Sequence, residues 1–127
     1  MSAKPTPPLD WTRFRALAGG EEAVRDLVGF YIPYVVERLD ALRSAVRAGA
    51  AAQVEVIAHE LGGSVAAAGV TDIVGPLLAL EQMAHEGRLG MAAAVLADAE
   101  AGFARIRDFL LQHIDAVRPD ARRSETA

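Results

Sequence analysis

The sequence predicts an all-α fold, an antiparallel four-helix bundle with a short extra N-terminal helix, and three observations carry that prediction. Apolar residues, chiefly Ala, Leu and Val, recur at spacings of three and four. No alternating run of β-branched residues is long enough for a sheet. The linkers between periodic stretches are only a few residues long, which sets consecutive long helices antiparallel.

Taken in order, Pro5, Pro7 and Pro8 make residues 1–8 an extended, flexible leader. Asp10 can cap a helix from Trp11 to Ala18 by accepting from a free first-turn N–H, with Trp11, Phe14 and Leu17 on one side. Leu9 and Phe14 are placed for a hydrophobic staple, and Gly19-Gly20 ends the helix. Glu21 and Glu22 then put negative charge where the next helix dipole favours it. That second helix is expected from Glu21 to Ala48, on a stripe of Val24, Val28, Tyr31, Val35, Leu39, Leu42 and Val46. Pro33 removes one donor and predicts a kink near Gly29 to Pro33. A third helix, Ala51 to Ala68, ends at Gly69; a fourth, Thr71 to Glu86, ends at Gly87, with Pro76 weakening its first turn. The fifth, Met91 to His113, presents Val95, Ala99, Phe103, Ile106 and Leu110. The bundle is thus expected over 9–115, followed by a flexible tail over 116–127 with Arg118, Arg122 and Arg123.

A chain of 127 residues fits one core and is too short for two. The absence of Cys excludes disulfides, zinc thiolates and thiol nucleophiles. Met1 to Pro8 has one Lys, three Pro and no apolar run, which does not fit a signal peptide, and no apolar stretch reaches membrane-spanning length. A cytoplasmic monomer is expected. The net charge is −4, with acidic and basic residues interspersed, so no basic stripe marks a nucleic-acid binder.

The third helix carries the chemistry. With His59 at zero on a helical wheel, Val54, Ile57, Ala58, Leu61, Ser64, Val65 and Ala68 fall about 100° to 180° away and form the core face. His59 therefore points into solvent at mid-helix. Its same-face neighbours are Gly62, Gly63 and Ala66, with Ala52 two turns back. Each interior glycine costs about 0.8 to 1 kcal/mol relative to Ala, so an adjacent exposed pair needs a reason. Access for a bulky anion on the imidazole, and for the protein that delivers it, is such a reason. Glu55, Val56 and Ala66 border the same face and are the candidates for contact with a partner.

Ala58-His59-Glu60-Leu61-Gly62-Gly63-Ser64, followed by Gly69, Ile73 and Leu80-Glu81, resembles the signature of histidine phosphotransfer (HPt) domains of bacterial two-component phosphorelays. That signature runs Ala-His-x-Leu-Lys-Gly-Ser, then Gly, Leu and Leu-Glu at the same offsets. The resemblance extends from about Leu9 to Ile114 and implies that His59 is the phosphoacceptor, that Gly63 gives it room, and that Ser64 lies just beyond. It also implies a polar residue on the adjacent helix near the imidazole, either Glu81 or Gln82. One position departs: Gly62 stands where the family has Lys, a cation that would offset the phosphoryl charge.

The chemistry so implied needs no cofactor on this chain. A neutral imidazole is a usable nucleophile near pH 7 and would attack the aspartyl phosphate of a receiver domain, whose own Mg²⁺ supplies most of the stabilisation. Reversal passes the group to a second receiver; the partners implied are receiver domains and hybrid histidine kinases. No P-loop or kinase glycine motif is present, so no ATP site is expected. A zinc-protease reading of His59-Glu60 fails because Gly63 stands where the second His is required. Glu81 and His85 are one turn apart, but the second Glu-x-x-His repeat of a bundle metal site is missing, so no metal is expected and His85 reads as a solvated helix end. His113 reads as packing plus a favourable dipole contact, and Arg105 and Arg107 as solvated charges. Two alternatives stand beside the relay: an adaptor that docks a receiver or kinase without carrying phosphate, and a stand-alone enzyme, for which no acid, base or pocket signal converges.

Overall fold

A computed structural model describes residues 7–126, with side chains described through Ile114. The chain is all-helical: α1 (Trp11–Ala18), α2 (Glu21–Ala48), α3 (Ala51–Ala67), α4 (Val74–His85) and α5 (Ala92–Thr126). Among the described residues the only extended pairing is an isolated bridge between Leu9 and Val70. Of the leader expected over 1–8, residues 1–6 lie outside the described residues.

Local chemistry sets most boundaries. The Asp10 carboxylate accepts from the Arg13 N–H at 3.1 Å, which caps α1, and Gly19 closes it in the left-handed conformation at φ 91°. α2 runs through Pro33 to Ala48 and is closed by Gly49. α4 begins at Val74, not at Thr71, and so has Pro76 in its first turn, where the backbone N–H groups have no intrahelical acceptor and a missing donor loses nothing. α5 departs furthest from expectation. Its backbone is helical to Thr126, past the end expected at His113 and through the stretch expected as a tail; Ala and Arg there are good helix formers, and Pro119 removes only one bond.

The helices pack as a ring, α2 against α3 and α5, and α4 against α3 and α5, with α1 on α2. Val35, Leu42, Val54, Leu61, Val65, Leu77, Leu80, Ile106 and Leu110 fill the centre and are essentially inaccessible. The seam follows the expected stripes with local shifts. Ala45 is buried and Val46 half-buried, Leu96 is buried and Val95 half-buried, because steps of three and of four both serve a period of 3.6. Leu17 is exposed; each three-residue step rotates by about 60°, so by Leu17 the row begun at Trp11 has left the core side.

The amino end is stitched to the turn between α3 and α4. The Asp10 N–H donates to the Gly69 carbonyl at 2.7 Å, and the Asp72 N–H donates to the Pro8 carbonyl at 3.2 Å. Gly69 has φ +80°, and a Cβ there would meet Arg13 Cβ at 3.0 Å and the Asp10 carbonyl at 3.1 Å, so the crossing needs glycine. α5 approaches the same turn: Arg105, expected as a solvated charge, donates to Asp72 at 2.8 Å. His113 is not at a helix end, because α5 continues, and the dipole reason for it falls away; its Nδ1–H donates to the Phe109 carbonyl at 2.8 Å and its ring stacks on Phe109 at 3.9 Å.

Tyr31 is buried, and among the described residues its hydroxyl has no hydrogen-bond partner; burial pushes its pKa up. Tyr31→Phe is therefore expected to stabilise the protein by about 1 kcal/mol at neutral pH, since an unsatisfied hydroxyl is removed. A raised folded pKa means that the unfolded state releases the phenolic proton first. The wild-type chain should lose stability above the unfolded pKa of about 10, by about 1.4 kcal/mol at pH 11 from this group, and the Phe variant should lack that component. Urea unfolding of both chains at pH 7 and pH 11 measures the difference, and equal pH dependence would refute it.

Candidate functional site

His59 lies at mid-α3 with its side chain 71% exposed, so the ring stands outside the core. Its Nδ1–H donates to Glu81 Oε2 on α4 at 2.9 Å. A neutral imidazole with its proton on Nδ1 carries its free lone pair on Nε2. The carboxylate thus fixes the ring's orientation and leaves Nε2 as the free nitrogen. Of the two candidates on α4, Glu81 meets the imidazole, while Gln82 turns along its own helix and donates from Nε2 to Glu86 at 2.6 Å.

The backbone beside the ring is bare for no internal reason. A Cβ at Gly63 would meet nothing within 4 Å, and one at Gly62 would make only ordinary contact, 3.8 Å from Leu77 Cβ. Packing within the chain therefore tolerates side chains at both positions, and helix propensity favours them. What a side chain there would obstruct is the space outside. Ser64 is half-buried on the α3 flank, and Ala66 is exposed one turn beyond Gly62.

Glu55, one turn before His59, accepts from His85 Nδ1–H at 3.0 Å. His85 is thus not simply a solvated helix end, and Glu81 and His85 do not share a site; each crosses to α3, to His59 and Glu55 respectively. Two imidazole–carboxylate pairs therefore lie on successive turns of the α3–α4 seam. Among the described residues no group of three or more His, Asp or Glu side chains could hold a metal ion. Val56 is 54% exposed on α3 and Leu78 58% exposed on α4. Leu78 was missed in the sequence reading, although its place three residues before Glu81 puts it on the same side of α4.

Among the described residues no helix is long and apolar enough to cross a membrane. A search of curated protein sequences returns no match. The Hpt domain family model matches residues 26–118. Among solved structures, the crystal structure of histidine-containing phosphotransfer protein B (HptB) from Pseudomonas aeruginosa aligns with a TM-score of 0.77 and 28% identity, over 86% of this chain and 96% of that one. A family match across most of the chain, joined to a solved relative that shares its shape and more than a quarter of its aligned residues, leads to one conclusion: the chain belongs to the histidine phosphotransfer (Hpt) domain family.

Proposed function

We propose that this protein is a phosphorelay carrier that accepts a phosphoryl group on His59 from the aspartyl phosphate of one receiver domain and passes it to another, in the cytoplasm and as a monomer. Four of its helices, α2 to α5, are read as the antiparallel bundle, with α1 as the extra helix on it. The observation that carries the reading is an exposed imidazole, oriented by Glu81 and flanked by glycines that the chain's own packing does not require.

The Nε2 lone pair attacks phosphorus in line with the departing aspartyl oxygen; the N–P bond forms as the P–O bond breaks, and the electron pair leaves with the partner's carboxylate. The ring then bears positive charge, which Glu81 offsets through the Nδ1–H. The receiver would bring its own Mg²⁺, and this chain needs no cofactor. Gly63 leaves room for the phosphoryl group, Ser64 borders the site, and Glu55, Val56 and Ala66 with Leu78 make the contact surface. Gly62 in place of the family's Lys leaves the phosphohistidine without a cation on its own helix and favours one second reading, an adaptor that docks without transfer.

Incubation with a phosphorylated receiver domain separates the two. Label that moves to this chain, survives alkali and is lost in acid supports the relay; binding without transfer supports the adaptor. Within the relay, Glu81→Ala is expected to slow transfer by about tenfold to a hundredfold, by analogy with the loss of a carboxylate that orients a metal-bound imidazole. Glu81→Gln keeps an acceptor for Nδ1–H without the charge and should fall between. Rapid-quench transfer rates measure both, and a wild-type rate in Glu81→Ala would remove Glu81 from the site.

A further inference from the structure

We propose that the His59 face selects receiver domains whose docking surface is apolar at its centre and rimmed by Lys and Arg. From Ala51 to Gly87 the sequence contains no Lys or Arg, although the chain has 13 elsewhere, and the same stretch carries Glu55, Glu60, Asp72, Glu81 and Glu86. Asp72 is turned to Arg105 on α5 and takes no part. Of the other four, Glu55 and Glu60 lie on α3, Glu81 lies on α4 and Glu86 caps α4. Glu55 and Glu81 hold His85 and His59, Glu86 accepts from Gln82 and lies 3.5 Å from the exposed Arg88, and Glu60 has no ion-pair partner among the described residues.

Val56 and Leu78 supply the apolar part, one on each helix, both more than half exposed. A protein that covers the imidazole covers these side chains as well and gains their burial. It also takes water from the carboxylates around them, and a desolvated carboxylate without a cation is strongly unfavourable. Phosphorylation makes the requirement stricter, because the phosphoryl group brings about −1.5 to −2 charges at pH 7, only partly offset by the ring's positive charge, to a face whose only basic side chains on α3 and α4 are His59 and His85. Where the family's Lys would provide a cation from within, Gly62 provides none, so the partner has to. A receiver with an acidic rim meets like charge across the interface and is excluded on the same ground.

The proposal rests on the reading of this face as the docking site. Its test is calorimetric binding of the full chain to a panel of isolated receiver domains, half with basic and half with acidic docking rims, at low and high ionic strength, with transfer of label to His59 scored separately. Basic-rimmed domains are expected to bind at least about tenfold more tightly at low salt, with an advantage that shrinks as salt screens it. Glu60→Lys combined with Glu86→Lys, both exposed, should reverse the ranking while the circular dichroism is unchanged. Affinities indifferent to rim charge and salt, or a ranking that survives the double substitution, overturn the proposal. Charge-ranked binding without label sinks the phosphoacceptor reading and leaves this one standing; label without charge ranking does the opposite.

Discussion

His59→Gln is expected to leave the protein folded and unable to take the phosphoryl group. The side chain is mostly exposed, and its one hydrogen bond runs to a surface carboxylate, so the loss of stability should stay under about 1 kcal/mol. Gln can reach Glu81 with its amide N–H₂ but offers no basic nitrogen to phosphorus, and removal of the nucleophile from a group-transfer step lowers the rate by on the order of 10³-fold or more. The second exposed imidazole, His85, lacks the bare backbone that Gly62 and Gly63 provide and is not expected to substitute. Transfer from a labelled receiver, with unfolding curves for both chains, checks the two halves together. Label that persists in the variant would move the phosphoacceptor elsewhere.

Phe14→Ala should produce the largest loss of stability of any change considered. Phe14 is fully buried, stacks on Trp11 at 5.9 Å and meets the Tyr31 ring edge-on at 5.6 Å, so its ring joins α1 to α2. Truncation of a buried Phe removes its transfer energy and leaves a void, together about 3–5 kcal/mol. Set against a total of about 5–15 kcal/mol for a domain, that is a large share, and the melting temperature should fall by roughly 10–20 °C. Chemical and thermal denaturation measure it. A loss below about 1 kcal/mol would mean that α1 contributes little to the folded state.

The sequence made the fold class legible, and for α1 and the start of α2 the helix ends too, because Asp10, Gly19 and Glu21 each act within about a turn of the end they mark. The exposure of His59 was legible for a similar reason: a wheel needs only one helix. What it could not supply was the relation between helices. Whether His85 meets Glu81, four residues away on its own helix, or Glu55, thirty residues away, depends on how α3 and α4 are rotated about their axes. The Arg105 to Asp72 contact likewise depends on how α5 lies against the α3–α4 turn. α5 continues past the end expected at His113, and Pro119 is carried inside it as Pro33 is carried inside α2.

The stitch between Pro8–Asp10 and the α3–α4 turn bears on how the domain may be cut. The family match begins at residue 26, whereas these bonds, and the glycine that permits them, fasten the loop joining the two helices on which His59 and Glu81 reside. A fragment trimmed to the family boundary would retain every residue assigned to phosphotransfer and lose the clasp at one end of that helix pair. Poor activity in such a fragment would then report a slackened hairpin, with the chemistry itself intact.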